Sequence, residues 1–333
     1  MDKIRVGVVG MGMMGDAHAR IYKANDQVKL VGCCEPNEAR KREAEETLGV
    51  PVYAVFGELL DQGLDALSVC TPDHMHERFV VEALERKIKV IVEKPLEIST
   101  GACRRILAAR PDPSYLTVGH DLRFDIRAIH AKRACEAGQL GKLLSISVKR
   151  SNNMTNCGRI GPITSVAWFL GIHDIDLVCW VSGLAVREVI SAAGFKCHND
   201  HWDYVTACLR MEGDTMLLME NHWINPNDSV KGNDGWIKMI GTKGSIDLDM
   251  MPQTAAYTYS GEKAGYFDVH HQADDLFGVP SGDLRYQLEH FVHCVRYGEI
   301  PLTTGEEAAE DVRVIEEIER KLESTGYNIN LGN

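Results

Sequence analysis

Lys94 is the residue whose type and position most clearly predict chemistry. It stands between Glu93 and Pro95, after the apolar run 90–92, which has the composition of a buried strand. Ligands of open α/β sheets bind at the carboxyl ends of the strands, so we expect the Lys94 amine to face a ligand. A fixed amine can take a proton from a hydroxyl group and return it in the reverse reaction. His173 has a side chain that can relay a proton near neutral pH, but a histidine considered alone is more often a hydrogen-bonded core residue.

Three glycines predict what the ligand is. Gly10, Gly12 and Gly15 are spaced as Gly-x-Gly-x-x-Gly between the apolar run 4–9 and a helical pattern. In this context the first glycine permits a tight turn, the second lets the backbone approach a pyrophosphate, and the third lets helix and strand pack closely. The amides at the start of the helix would hold the anion. The pattern therefore predicts a bound dinucleotide.

Glu35, twenty positions after Gly15 at the end of the second apolar run, predicts which dinucleotide binds. A carboxylate there would accept hydrogen bonds from the ribose hydroxyls and repel a 2′-phosphate, which favours NAD. NADP stays open as the alternative, because the basic segment 40–42 could pair with a phosphate. His76 either contacts the cofactor or caps the following helix. The predicted cofactor-binding residues are Gly10, Gly12, Met13, Met14, Gly15, Glu35, Thr71, Pro72, His76, Glu93 and Lys94.

The elements that must position these residues change in character along the chain. Apolar strands alternate with helical patterns over residues 1–120, which predicts a doubly wound parallel α/β sheet. Residues 121–333 are richer in strands joined by short turns, which predicts an α+β domain with an open, mostly antiparallel sheet. The final helix, predicted over 306–324, is expected to pack back on the first domain.

Composition excludes several classes of protein. The 333 residues carry a net charge of −12, which argues against a nucleic-acid partner, since phosphates attract basic patches. No apolar stretch approaches the roughly 20 residues of a membrane helix, and the N-terminus lacks the pattern of a signal peptide. None of the ten cysteines forms a Cys-x-x-Cys pair. We therefore expect reduced core cysteines and a cytoplasmic protein.

Several segments together resemble the Gfo/Idh/MocA family, named after glucose–fructose oxidoreductase, inositol dehydrogenase and MocA. The resemblance implies an N-terminal Rossmann domain and a C-terminal domain built on an open sheet. It also implies Lys94 as the catalytic general acid/base and His173 as its proton relay. The segments are the glycine loop 8–15, Thr71-Pro72 with His76, Glu93-Lys94-Pro95, Gly119-His120-x-x-Arg123-Phe124 and the stretch 171–176.

One position departs from the family pattern. Many family dehydrogenases have an aspartate four residues before the histidine, where this chain has Phe169. Either Lys94 and His173 suffice, or Asp176 or another side chain supplies the carboxylate, or the chemistry differs. Arg123 either fixes the domain junction or contacts substrate. The predicted substrate-binding residues are Arg123, Asn152, Asp176 and His222.

We expect no metal site, because His198, His201, His270 and His271 have the setting of loop histidines without further ligands at suitable spacing. The leading hypothesis is an NAD(P)-dependent dehydrogenase acting on a secondary alcohol of a sugar, sugar derivative or cyclitol. The alternatives are an NAD-dependent glycosidase that oxidises its substrate transiently, and a catalytically silent nucleotide-binding sensor. The resemblance also implies a homodimer or homotetramer, and the composition argues against a nucleic-acid or membrane partner.

Overall fold

The structure is a computed structural model that describes residues 2–229, 233–250, 256–257, 265–266 and 278–329. It divides into two compact units, and each unit contains two stretches of chain. Unit 1 comprises Met1–Phe124 and His270–Val312, and unit 2 comprises Asp125–Val269 and Arg313–Asn333. No helix in the described ranges is both long and apolar enough to cross a membrane.

Unit 1 begins with strands and helices in strict alternation. Six strands form one sheet in the order β3-β2-β1-β4-β5-β6, and every neighbouring pair is parallel. This is the strand order of a Rossmann fold, so the predicted fold of this region is confirmed. The elements are β1 (Ile4–Val9), α1 (Met13–Ala24), β2 (Val28–Cys34), α2 (Glu38–Leu48), β3 (Val52–Tyr53), α3 (Phe56–Leu60), β4 (Ala66–Val69), α4 (His76–Glu85), β5 (Lys89–Val92), α5 (Thr100–Ala109) and β6 (Leu116–Val118).

The sequence explains why these strands form the centre of the unit. The strands β4 and β5 are buried almost throughout, as expected when helices cover both faces of a parallel sheet. The helix α2 begins where the Asn37 side chain accepts hydrogen bonds from the N–H groups of Ala39 and Arg40, and it ends at Gly49 in the left-handed conformation. Its termini are therefore set by local residue chemistry.

Unit 2 contains a seven-stranded sheet with helices on one face. Its first elements are α6 (Ile126–Glu136), β7 (Leu143–Asn153), α7 (Met154–Ile160), α8 (Ile172–Ser182), β8 (Val186–Lys196), β9 (Tyr204–Met211), β10 (Met216–Asn225), β11 (Asp234–Gly241), β12 (Ser245–Asp249), β13 (Ala256–Tyr257) and β14 (Gly265–Tyr266). The chain then continues through α9 (Asp283–Tyr297), α10 (Gly305–Thr325) and β15 (Tyr327–Asn328).

The strand order of this sheet is β12-β11-β7-β10-β9-β8-β15. The pairs β7–β10 and β8–β15 are parallel, and the other four are antiparallel. The expectation of an α+β domain with a mostly antiparallel sheet is confirmed. The strands of each parallel pair are not consecutive in the chain. Turn signals between consecutive strands therefore do not predict these two pairings.

The helix α9 returns the chain to unit 1. Its residues Leu284, Leu288 and Phe291 are buried in the same apolar cluster as β1 and α1. The sequence-based division into 1–120 and 121–333 places α9 in the second domain, whereas the structure places it in unit 1. The amphipathic pattern of a helix does not show which sheet the helix covers. The start of α10, through Val312, is also part of unit 1, and the rest of that helix is part of unit 2.

Candidate functional site

The carboxyl ends of the central strands of unit 1 are aligned at one edge of the sheet. The residue after β4, Cys70, donates its backbone N–H to the carbonyl of Val9 at 2.8 Å. The residue after β5, Glu93, does the same to Val69 at 2.9 Å. The glycine loop after β1, the segment after β4 and Lys94 after β5 therefore emerge next to one another.

The glycine loop has the geometry that a pyrophosphate requires. Gly10 has a φ of +87°, and a Cβ there would lie 2.6 Å from the carbonyl oxygen of Cys70. A Cβ on Gly15 would lie 1.8 Å from the carbonyl oxygen of Gly10. Gly12 differs, because its φ of −78° suits any residue and no described atom lies within 4 Å of its Cβ position. Since the protein does not require glycine there, a ligand that approaches the backbone explains it.

Glu35 is built into this loop. It is 4% exposed, and one carboxylate oxygen accepts the N–H of Met11 at 3.0 Å while the other accepts the N–H of Asn37 at 2.9 Å. An ionised carboxylate has about four acceptor positions, so capacity remains for ribose hydroxyls. Arg40, at the start of α2, is exposed. This arrangement fits the adenosine end of NAD.

The segment after β4 supplies a further polar group. The hydroxyl oxygen of Thr71 is buried and has no hydrogen-bond partner within the described part of the chain, and a buried hydroxyl without a partner is costly. At the ligand-binding edge of the sheet, such a group fits a polar atom of the cofactor. Pro72 is exposed, Met13 is exposed, and Met14 is half-buried.

His76 joins two of these segments. Its ring is fully buried at the start of α4, with Nδ1 2.8 Å from the carbonyl oxygen of Pro95 and Nε2 2.9 Å from that of Thr71. The ring therefore holds the segment after β4 against the one that carries Lys94. These contacts give His76 a role other than the two that the sequence left open. The Lys94-Pro95 peptide bond is cis.

Arg123 has a set of contacts inside unit 1. The side chain is 2% exposed and donates from one guanidinium nitrogen to the carbonyl oxygen of Leu302 and to the carboxylate of Glu307, both at 2.9 Å. These bonds fix the segment after β6 to the start of α10. They favour the structural alternative for Arg123 over substrate contact.

In unit 2, α8 carries the second catalytic candidate. His173 is half-buried and Asp176 is 1% exposed. Between them, the fully buried carboxylate of Asp174 accepts hydrogen bonds from Arg150 Nε at 2.8 Å and Asn221 Nδ2 at 2.7 Å. Burial raises the pKa of Asp174, against the opposing effects of Arg150 and Asn221. These bonds fix the start of α8 to β7 and β10, and with it His173.

The sheet separates two of the predicted substrate-binding residues. Side chains alternate between the faces of a strand, so Asn152 shares the face of Arg150, which α8 covers. His222 follows Asn221 and lies on the opposite, open face, where its ring stacks on Tyr204 at 5.8 Å between centroids. Burial and Lys149 lower the pKa of His222. The structure therefore does not bring His222 together with His173, since the alternation puts them on different sides of the sheet.

Phe169 lies in a π-helical turn, Ala167–Gly171, directly before α8. Its ring contacts that of Trp223 at 6.1 Å between centroids, and the indole N–H of Trp223 donates to Asp203 at 2.7 Å. Asp203 also accepts backbone N–H groups of Cys197 and His198. Burial raises the pKa of this carboxyl, but these donors and Asn199 lower it to about 2. Asp203 is thus a structural anion and not a substitute for the aspartate missing at position 169.

Comparison with known proteins decides the family. The model of the oxidoreductase family with an NAD-binding Rossmann fold, GFO_IDH_MocA, matches residues 4–120. The model of its C-terminal α/β domain matches residues 132–329. The chain belongs to the Gfo/Idh/MocA family. It is therefore an oxidoreductase with an NAD-binding Rossmann domain, which confirms the predictions of an enzyme and of NAD as its cofactor.

Relatives within the Gfo/Idh/MocA family match nearly the whole chain. Inositol 2-dehydrogenase 1 of Saccharopolyspora erythraea is 32% identical over 313 residues, which cover 89% of this chain and 87% of the relative. Myo-inositol 2-dehydrogenase of Thermotoga maritima is 27% identical over 319 residues, which cover 91% and 92%. The crystal structure of scyllo-inositol dehydrogenase from Lactobacillus casei, with NAD(H) and scyllo-inositol bound, covers 98% of both chains with a TM-score of 0.81 at 19% identity. That structure shows the shared fold.

Sequence reasoning missed several buried polar residues of this family member. Asp174 has no distinguishing signal in the sequence, because it lies between His173 and Asp176 on the same helix. Two others had a signal: Ser68 is the one polar residue of β4, and His18 follows Gly15 on the helix that the glycine loop opens. Of the histidines expected in loops, His270 and His271 lie outside the described residues.

Proposed function

We propose that the chain oxidises a secondary alcohol of a cyclitol, with NAD as the hydride acceptor and Lys94 as the general base. The observation that best supports the proposal is the alignment of strand ends, by which the backbone that carries Lys94 ends at the same sheet edge as the glycine loop and next to the segment after β4. The full-length relatives named inositol dehydrogenases support the choice of a cyclitol, and their names favour neither the glycosidase nor the sensor.

The reaction needs a proton acceptor at the hydroxyl oxygen while hydride leaves the same carbon. When bound, NAD supplies the nicotinamide ring that takes the hydride. The amine of Lys94 takes the hydroxyl proton, and His173 then relays it to solvent. In the reverse direction Lys94 returns the proton to the carbonyl oxygen. The assignment of Lys94 rests on its position at the end of β5 and on the family resemblance, and the assignment of His173 rests on the family resemblance.

Substrate hydroxyls need donors and acceptors on the α8 side of the unit 2 sheet. Asp176 and Asn152 are the candidates there, since Asp176 lies one turn after His173 and Asn152 shares the face that α8 covers. Phe169 presents an aromatic ring to the same region. We leave His222 and Arg123 out of the proposed substrate site, because their contacts lie elsewhere.

The test is NADH formation from myo-inositol and scyllo-inositol, with NAD and NADP compared at equal concentrations. We expect turnover of at least one inositol with NAD in preference to NADP. Tight NAD binding without NADH formation from any cyclitol or sugar would contradict the proposal and support the sensor. Cleavage of a glycoside without net NADH formation would contradict it in favour of the glycosidase.

We further propose a homo-oligomer that covers the open face of the unit 2 sheet, in the cytoplasm. Leu218 and Ile240 are 50% and 41% exposed on this face, and Trp236 is 38% exposed. An apolar patch of this kind is typical of an interface. Sedimentation should show a dimer or tetramer at micromolar concentration, and Leu218→Glu should dissociate it; a monomeric wild type would contradict this proposal.

A further inference from the structure

A chain of four buried polar side chains runs through unit 1 and ends beside Lys94. The hydroxyl oxygens of Tyr22 and Ser68 are 2.8 Å apart, and Ser68 Oγ is 3.1 Å from His18 Nδ1. His18 Nε2 is 3.2 Å from Glu93 Oε1. The exposed fractions of the four residues range from 0% to 9%. The chain therefore leads from inside the unit to the residue that precedes the proposed catalytic lysine.

One arrangement of protons satisfies every member of this chain. An ionised carboxylate only accepts hydrogen bonds, so His18 Nε2 carries a hydrogen and donates to Glu93. In a neutral imidazole, Nδ1 then accepts from the Ser68 hydroxyl, whose oxygen accepts from the Tyr22 hydroxyl. A doubly protonated His18 would bring four hydrogens to three contacts, so the hydroxyl hydrogen of either Ser68 or Tyr22 would have no acceptor in the described part of the chain. The hydrogen bonds thus all point towards Glu93.

The surroundings of Glu93 keep its carboxylate ionised and fixed. Burial raises its pKa, but the hydrogen bond from His18 and the basic side chains of His18, Lys94 and His76 outweigh that effect, so the pKa is lowered. The thiol of Cys70 also lies close, and the combination of burial and Glu93 raises the pKa of that thiol. Cys70 is therefore neutral and adds no competing charge.

The backbone after the neighbouring strand β6 comes close to Glu93 at Gly119. A Cβ on Gly119 would lie 3.1 Å from Glu93 Oε1 and 3.1 Å from the backbone nitrogen of Lys94. The backbone after β6 therefore closes against both the carboxylate and the start of Lys94.

We propose that His18 and Glu93 are positioning residues for Lys94. The carboxylate, held by His18, fixes the backbone at residues 93–94 and provides a permanent negative charge next to the amine. Attraction between the two charges is mutual, and the charge of Glu93 offsets repulsion between a protonated Lys94 and the cationic ring of oxidised NAD. This proposal rests on the proposed function of Lys94.

Kinetics of two His18 variants test the role of the hydrogen bond. His18→Leu removes the donor to Glu93 at similar volume, whereas His18→Gln keeps an amide donor. We expect His18→Leu to lower kcat for myo-inositol oxidation by ~10- to 100-fold, as for a misplaced catalytic group, with the KM for NAD changed little. His18→Gln should recover most of the rate. Equal rates in the two variants would overturn the proposal.

The pH profile separates a positioning role from a merely structural one. Without its donor, buried Glu93 should protonate at higher pH, so His18→Leu should gain an additional loss of kcat towards acid pH. That loss should be absent from the double variant His18→Leu/Glu93→Gln, and its persistence there would contradict the proposal. Tyr22→Phe breaks the far end of the chain without removing the donor to Glu93, so it should keep kcat within about fivefold, since one neutral hydrogen bond contributes about 1 kcal/mol. A larger loss would favour a structural role for the chain.

A measurement on the wild type does not depend on turnover or on a folded variant. Nitrogen NMR of the imidazole should show His18 as the neutral form with the hydrogen on Nε2, and a hydrogen on Nδ1 would overturn the inferred direction of the chain. If no inositol is oxidised but this form of His18 is seen, the proposed substrate is wrong and the chain to Glu93 stands. If an inositol is oxidised but His18 carries its hydrogen on Nδ1, the proposed function stands and the proposed chain to Glu93 is wrong.

Discussion

A buried carboxylate lies next to each proposed catalytic residue in the sequence, and the pKa values of the two carboxylates are shifted in opposite directions. Glu93 precedes Lys94 in unit 1, and Asp174 follows His173 in unit 2. Burial raises the pKa of both, but the hydrogen bond from His18 and the nearby basic side chains lower that of Glu93 overall. Asp174, with Arg150 and the neutral amide of Asn221, keeps a raised pKa.

The difference shows how each unit holds its catalytic candidate. In unit 1 the backbone does most of the positioning, because parallel strands end at one edge, and Glu93 adds charge next to an already placed lysine. In unit 2 a side-chain cluster of Arg150, Asp174 and Asn221 fixes a helix to a sheet. Asp174 should therefore matter most for stability and Glu93 most for catalysis.

The largest expected effect is a loss of stability when the cation beside Asp174 in unit 2 is removed. Arg150→Met leaves the buried Asp174 carboxylate without its cation, and breaking a buried ion pair costs about 3–5 kcal/mol. The free energy of unfolding in urea at neutral pH should fall by that amount. The control is Arg187→Met, which removes the partner of Glu212 from a pair whose arginine side chain is 65% exposed. That change should cost less than about 1 kcal/mol, and equal losses in the two variants would contradict the role given to Asp174.

A second variant tests Glu35, a third buried carboxylate, which accepts backbone N–H groups in unit 1. Glu35→Gln removes the charge that repels a 2′-phosphate and one acceptor of the loop. The preference for NAD over NADP, measured as a ratio of kcat/KM values, should fall by about tenfold or more, since a hydrogen bond to a charged group contributes about 1.5–3 kcal/mol. Glu38→Gln, at an exposed position of α2, should leave the ratio unchanged. An unchanged ratio in Glu35→Gln would remove Glu35 from the cofactor site.

The smallest expected effect is a difference between Glu93 and Asp174 in how their contributions to the free energy of unfolding change with pH. A lowered pKa means that the native state holds its proton less tightly than the unfolded chain, so the stabilisation from ionised Glu93 is present above about pH 4 and is lost as the pH falls through its native pKa. A raised pKa has the opposite sign, so the contribution of Asp174 is greatest at acid pH and declines as the pH rises through the carboxyl range. Compared with Glu93→Gln, the wild type should gain stability as the pH rises from about 3 to 7. Compared with Asp174→Asn it should lose stability over that range, and slopes of the same sign would contradict the comparison.

Much of unit 1 could be predicted from the sequence, because its determinants are local. The glycine spacing, the apolar runs and the acidic residue at position 35 lie within single strand–loop–helix units, where the backbone itself sets the geometry. The placement of Lys94 followed from the end of one strand. The helix α9 could not be assigned to this unit, because nothing in its own sequence specifies a partner almost 300 residues away.

The site residues of unit 2 were harder to predict, because side-chain contacts between distant elements determine them. Asp174, Arg150 and Asn221 come from a helix and two strands, and no spacing in the sequence connects them. His222 was chosen for its residue type, but alternation along β10 places it on the open face. Phe169 was recognised as unusual, yet its contact with Trp223 depended on the register of β10 and the π-helical turn before α8.

The measurement that tests the central claim most directly is the rate of NADH formation from an inositol by Lys94→Ala. The rate should fall by about 10²- to 10⁴-fold, the usual contribution of a general acid/base, while the affinity for NADH, followed by fluorescence, changes little. Lys89→Ala, at the opposite end of the same strand, should keep the wild-type rate within a few fold. A Lys94→Ala enzyme that retains turnover would contradict the claim that Lys94 is the group that moves the proton.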